Sequence, residues 1–298
     1  MTTSATENPE QKKKAGVFRS LNTGSEALLL PNVWDVASAR TVEECGFAAV
    51  ATTSAGIAFS LGYPDGQKIP KEEMFAAVAR IARALTVPVT ADVEAGYGNG
   101  PEHAAHTARS VIEAGAVGMN FEDATGNPEH PLVDLALQLE RIRAIRETAE
   151  KLDVPLVINA RTDVYLLQAG DPAKRYDMAL QRMLAFRDVG ADCVFAPGVR
   201  DAATIGRMVF DLHCPLNILA GPGSPSVAEL TALGVRRISL GSGPMRATLG
   251  LLRRLAEEVK TSGTFQSLDG APSHAEVNAL MKANRKAGSP MPEAGTEN

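Results

Sequence analysis

Pro88–Gly98 reads PVTADVEAGYG, and the fold can be worked out from it in both directions. An apolar run, Val87–Thr90, leads directly into Asp92 and Glu94. On an extended chain residues i and i+2 share a face, so the two carboxylates project together from the end of a buried strand. Gly96 and Gly98 then let the backbone turn away. Two neighbouring buried acids are costly unless donors or a cation compensate them, and a hard divalent cation such as Mg²⁺ suits an all-oxygen set. A solvated acidic turn is the alternative for the fragment taken alone.

Outward from this stretch the same unit repeats. Apolar runs of strand length occur at Ala27–Leu30, Ala48–Thr52, Val87–Ala91, Val117–Phe121, Leu156–Asn159, Cys193–Ala196, Leu216–Ala220 and Arg237–Leu240. Segments with helical spacing separate them, from Val36–Cys45 to Met245–Thr261. Alternate strands follow a helix-ending glycine (Gly46, Gly115, Gly190, Gly234), and three of the others follow a proline (Pro88, Pro155, Pro215). Repeated β/α units with short turns predict an α/β protein, a (β/α)₈ TIM barrel. An open doubly wound sheet is the competing architecture, but no glycine-rich dinucleotide turn follows the first strand.

The expected organisation is a disordered polar tail over 1–24, a barrel catalytic domain over 25–262, and a C-terminal helix with a disordered tail over 263–298. The extra helix spans Ser273–Lys286, with Ser273 and Glu276 spaced as a capping box. Having no strand of its own, it must pack on the barrel or on a neighbouring subunit.

The chain has 298 residues and a net charge of −5, which argues against a nucleic-acid surface. No apolar run is long enough to span a membrane. Three widely spaced cysteines, Cys45, Cys193 and Cys214, read as reduced thiols, and the N-terminus lacks the apolar core of a signal peptide. A cytoplasmic location is the expectation.

In a barrel the site lies at the C-terminal ends of the strands. Those ends carry Trp34, Ser54, Ala55, Gly56, Asp92, Glu94, Glu122, Arg161 and Asn217. Acids gather on strands three and four, with Arg161 on strand five to balance them and to clamp a carboxylate or phosphoryl group. Asp92, Glu94 and Glu122 are the candidate metal ligands, with Mg²⁺ preferred and Mn²⁺ as the alternative. Arg161 could instead be a structural partner of Asp163 or Glu122. The glycine-rich turns GPGSPS (221–226) and GSGP (241–244) compete as a phosphate site.

PNVWDVASAR (31–40), ATTSAGIAFSLGYPDG (51–66), TADVEAGYG (90–98), NFEDATG (120–126) and INARTD (158–163) resemble, in order, the motifs of the isocitrate lyase / phosphoenolpyruvate mutase superfamily. The resemblance covers Leu28 to Gly243 and is nearest to short-loop members of the phosphonomutase-like or 2-oxo-acid lyase type. It implies a homodimer or homotetramer that exchanges its last helix. It also implies Mg²⁺ held directly by Asp92, with Asp65, Glu94 and Glu122 acting through waters. Ser54, Ala55 and Gly56 would bind the substrate carboxylate, with Trp34 and Asn217 also at the substrate, and Arg161, Glu122 and Asp65 would be catalytic.

Two departures narrow the activity. The loop after strand four reads DATGNPEHPLVD, without the cysteine that isocitrate and methylisocitrate lyases carry there, so neither activity is expected. After strand six, Pro197 stands where phosphonate-active members have histidine and lyases have glutamate. Decarboxylation of an oxaloacetate-like acid needs no strong base, so the expected enzyme is a Mg²⁺-dependent carbon–carbon lyase. It would act on a small 2-oxo or 2-hydroxy dicarboxylic acid through a pyruvate-type enolate. Mutase or hydrolase chemistry on a phosphorus–carbon bond, and a barrel that binds a small acid without turnover, are the alternatives.

Overall fold

The computed structural model describes residues 8–282. Its strands are β1 (Leu28–Leu30), β2 (Asn32–Val33), β3 (Val50–Thr52), β4 (Val89–Asp92), β5 (Gly118–Glu122), β6 (Val157–Arg161), β7 (Cys193–Phe195), β8 (Leu216–Leu219) and β9 (Arg237–Ser239). All are parallel, in the order β1-β9-β8-β7-β6-β5-β4-β3-β2. The two ends of that order are consecutive in the chain, so the sheet curls into a barrel rather than an open sheet.

The expected first strand is divided at Pro31, which has no N–H to give to a ladder. Leu28–Leu30 pair with β9, whereas Asn32 and Val33 pair with β3. The Asn32 side chain stitches the seam. Its Oδ1 accepts from Leu240 N and Gly241 N, each at 2.8 Å, and its Nδ2 donates to Thr52 O at 2.8 Å.

The outer helices are α2 (Val36–Glu44), α4 (Lys71–Ala84), α5 (Pro101–Glu113), α6 (Leu135–Lys151), α7 (Arg175–Asp188), α8 (Ala202–Leu212), α9 (Val227–Ala232) and α10 (Gly243–Ser262). A short helix, α3 (Ser54–Ser60), follows β3 directly. The sequence reading placed only a strand end there, because a run as apolar as SAGIA carries no helical period of its own.

The segment 1–24, read as a disordered tail, is corrected over most of its length: Pro9–Thr23 form a helix, α1. Asn8 caps it, and Gln11, Ala15, Phe18 and Asn22 form its buried face. The helix closes the N-terminal mouth of the barrel. A Cβ on Gly118, at the start of β5, would meet the Phe18 ring at 2.6 Å, and Gln11 Nε2 donates to Ile112 O at 2.7 Å and Ala116 O at 3.0 Å. At the same end Asp192 is already paired with Arg19 at 2.7 Å and Arg146 at 2.5 Å.

The C-terminal helix α11 (His274–Lys282) packs on α2 of the same chain, where Arg40 Nη1 donates to Leu280 O, at 3.0 Å, and to Met281 O. It is the eighth barrel helix, α10, that lacks cover: only Met245 is buried along it. The expected disordered stretch 287–298 lies outside the described residues. The cysteines are free, with Cys45 exposed and Cys193 buried. Among the described residues no helix is long and apolar enough to cross a membrane.

Candidate active site

The strands end on a cavity of about 690 Å³. Its floor is made by Ser54, Asp65, Glu94, Glu122, Arg161 and Asp163. Its walls are two loops, one after β5 with Pro128, Glu129 and Pro131, the other after β6 with Leu166 to Gly170.

Asp92 sits at the base of this floor, 8 % exposed, and its Oδ2 accepts from Ser54 N at 3.0 Å and Ser54 Oγ at 2.7 Å. The N-terminus of α3 is thus aimed at the β4 acid. Thr53, the N-cap, takes the Gly56 N–H at 3.3 Å. Glu94 is 4 % exposed and its backbone is left-handed, φ 52°. Its Oε2 accepts from Gln67 N at 2.6 Å, and its Oε1 is buried without a partner. Gly96 follows at φ 86°, and a Cβ there would lie 2.5 Å from the Phe121 ring.

Arg161 joins Glu122 and Asp163. Its Nη1 lies 2.8 Å from Glu122 Oε2, while Nε and Nη2 grip Asp163 at 2.6 and 2.9 Å. Beneath them Asp123 accepts from Thr162 Oγ1 at 2.7 Å, Asp163 N at 2.9 Å and Arg182 Nε at 2.7 Å. Both acids of the Glu-Asp pair at the end of β5 therefore have cationic partners.

Crowding of like charge away from water governs the protonation states. Burial first, then Asp92 and Asp65, push the Glu94 carboxyl up to about 7. Burial also raises Glu122 well above the carboxylate range, against the pull of Arg161. Asp65 is raised by desolvation, and Asp92 adds to that rise. Burial alone would lower Arg161, but Glu122 and Asp163 outweigh it and keep the guanidinium charged.

Among the described residues no three acidic, histidine or cysteine side chains stand close enough to hold an ion together. Of the candidate ligands Asp92, Glu94 and Glu122, Glu122 is paired with Arg161. The oxygen-only donors do fit a hydrated magnesium ion, which keeps several waters and needs few direct carboxylates. The partnerless Glu94 Oε1 is a buried acceptor of the kind that such a water would satisfy.

A family model described as phosphoenolpyruvate phosphomutase matches residues 18–260. This chain belongs to the phosphoenolpyruvate phosphomutase family. An oxaloacetate decarboxylase of Pseudomonas aeruginosa is 32% identical over 268 residues, covering 85% of this chain and 88% of that protein. A solved structure from Burkholderia cenocepacia J2315, described as a candidate lyase/mutase, is 39% identical with TM-score 0.88, covering 93% of this chain and 98% of its own. A structure of oxaloacetate acetylhydrolase with the product oxalate is 28% identical with TM-score 0.79, covering 90% and 93%. The resemblance seen in the motifs is thus the family itself, within the isocitrate lyase/PEP mutase superfamily, and its named relatives are enzymes.

Against that family frame the sequence-predicted residues divide. Ser54, Asp65, Glu94, Glu122 and Arg161 line the cavity, with Asp92 below Ser54. Trp34, Ala55, Gly56 and Asn217 are not among its lining residues. Gly56 is pressed against Trp34, whose Cβ would be 3.0 Å from an added methyl. Asn217 is fully buried in the barrel and donates to Ser239 Oγ at 3.1 Å. Pro197 is buried as well and lines none of the cavity.

The glycine turns spend their donors internally: Gly241 N goes to Asn32, and the N-terminus of α9 is filled by Glu229, which accepts from Ser226 N at 2.7 Å. Sequence reasoning missed Gln67, which has no motif to mark it, whereas the two partners it offered Arg161 as alternatives, Asp163 and Glu122, are both engaged.

Proposed function

We propose that this protein is a Mg²⁺-dependent carbon–carbon lyase that decarboxylates oxaloacetate or a close 2-oxo dicarboxylate. The observation that carries the reading is the Arg161 fork, fixed by Glu122 and Asp163 across a floor otherwise built of carboxylates. Such a floor repels a dianionic substrate unless cations offset it, and the fixed guanidinium offers one of them. The oxaloacetate decarboxylase relative supports the same choice of substrate.

Asp92, with Glu94, Asp65 and Glu122 behind waters, would hold the ion. Bound there, the metal supplies Lewis-acid stabilisation of the negative charge that grows on the 2-oxo oxygen. The chain's own residues do the rest. Ser54 fixes one Asp92 oxygen and so sets the direction of the other. Arg161 orients the acid. The C3–C4 bond breaks, CO₂ leaves, the electron pair remains as a C2–C3 enolate, and a proton delivered to C3 completes pyruvate. No base has to remove a proton at the start, which suits a loop after β5 that has no cysteine. Chemistry at a phosphorus–carbon bond ranks below this reading, which has the oxaloacetate decarboxylase relative in its support.

The protomer is proposed to act in a homodimer or homotetramer that exchanges a C-terminal helix, in a cytoplasmic setting. α11 lies on α2 of its own chain, so what supports an assembly of copies is the exposed apolar face of α10.

The test is product analysis with oxaloacetate and Mg²⁺. Pyruvate and CO₂ are expected. Oxalate with acetate would assign hydrolysis at C2–C3 instead, and no turnover with the metal still bound would leave a binding barrel.

A further inference from the structure

The cavity is larger and more apolar above its floor than a four-carbon diacid requires. Its volume is about 690 Å³. Even at the ~30 Å³ that each molecule of liquid water takes up, a four-carbon diacid counted atom by atom fills less than half of it. The surplus space has a definite chemistry. Pro128 and Pro131 stand on one wall, and Leu166, Leu167 and Ala169 on the other. Leu166 and Leu167 are 48 % and 44 % exposed. They stand on the loop that follows β6, whose last residue is Arg161, and line the same cavity as Arg161.

We infer that the substrate is a 2-oxo diacid bearing an alkyl chain on C3, with the chain lying along Leu166 and Leu167. This rests on the lyase reading above and narrows its substrate. In the oxaloacetate skeleton C1 and C4 are carboxyl carbons and C2 carries the oxo group. C3 alone can hold a substituent while every group needed for decarboxylation is kept. The acidic floor takes the polar end, and the substituent is directed toward the leucine wall, where its burial also takes the exposed leucine surface out of water.

The experiment is a kinetic series with the full-length protein and Mg²⁺: oxaloacetate and its 3-methyl, 3-ethyl, 3-propyl and 3-butyl derivatives. kcat/KM is expected to rise roughly fourfold per added methylene until the wall is covered. The Leu166→Asn/Leu167→Asn double variant is expected to flatten that rise. Turnover of oxaloacetate with a flat or falling series in the unaltered protein overturns the inference and leaves the lyase reading intact. If no member is turned over, the affinities of the matching 2-alkylmalonates decide by calorimetry. An affinity that climbs with chain length keeps the apolar lobe while the lyase reading fails, and an affinity that does not climb removes both.

Discussion

Gln67 and Glu94 hold each other in an unfavourable backbone conformation at the edge of the cavity. The Gln67 N–H donates to Glu94 Oε2 at 2.6 Å, and the two residues have φ of 56° and 52°. Tyr97, at φ 54°, gives its N–H to Gln67 Oε1 at 2.7 Å. Left-handed backbone in residues other than glycine costs about 1–3 kcal/mol each and persists where surrounding contacts over-determine it. Here the contacts lock the loop carrying Asp65 to the loop carrying Glu94. Replacing Gln67 by Met keeps the length but removes the acceptor for Tyr97 N. kcat is expected to fall roughly 10-fold to 100-fold, with Gln67→Glu, which keeps an acceptor, recovering most of it. Steady-state kinetics beside a thermal melt checks this; a lowered melting temperature with unchanged kcat would show the contact to be structural only.

The pH dependence of stability follows from Glu94. Its carboxyl is pushed up to about 7, by burial first and then by Asp92 and Asp65. Between the ordinary carboxylate range and about 7, the folded protein holds a proton that the unfolded chain has released. Stability of the metal-free protein therefore decreases as pH rises through that window. Urea unfolding in the presence of a chelator, at pH 5 and at pH 8, is expected to show the loss, and Glu94→Gln is expected to reduce it. An identical pH slope in the variant would locate the effect in other groups.

The barrel was legible because its strands are continuous apolar runs ended by glycine or proline, a pattern that parallel burial enforces. Asp92, Glu94, Glu122 and Arg161 were legible for a related reason: charged residues at the ends of such runs stand out. What escaped the sequence has physical causes. The charges of Lys12, Lys13 and Lys14 mask the apolar face that seats Ala15 and Phe18 against the barrel, although the cap signal Asn8-Pro9 was present. Gln67 acts through its backbone N–H, an unusual φ and a side-chain oxygen that serves a backbone N–H, none of which a sequence motif reports. The pairing of Glu122 with Arg161 was legible only as one alternative, because sequence spacing cannot tell an acid that waits for a cation from one already served by an arginine.

That clamp separates charge from shape. Arg161 reaches Glu122 through Nη1 and Asp163 through Nε and Nη2, and a lysine can supply the charge but not the fork. Arg161→Lys is expected to leave a folded barrel with kcat/KM on oxaloacetate down about 10²- to 10³-fold. Arg161→Met leaves two buried acids uncompensated and is expected to cost about 3–5 kcal/mol of stability. Chemical denaturation and kinetics on both variants distinguish the roles. Near-normal kcat/KM in the lysine variant would reduce Arg161 to a charge balance.

Along α10, Leu249, Leu252 and Val259 recur at helical spacing and are 46 %, 59 % and 43 % exposed. Apolar residues aligned on one face of a long helix mark a surface that binds another protein surface. The longer barrel helices α4, α5, α6, α7 and α8 bury such a face on the barrel, and the 20 residues of α10 bury only Met245. A second copy presenting the same helix can cover it symmetrically, in keeping with the proposed exchange. Leu252→Asp places a charge in the middle of that stripe without touching the barrel interior. Sedimentation is expected to show the unaltered protein as a dimer or tetramer and the variant shifted toward monomer, with the circular dichroism of the barrel retained. An unaltered protein that sediments as a monomer at micromolar concentration would rule out this use of α10. An assembly that survives Leu252→Asp would mean that a different face holds it together.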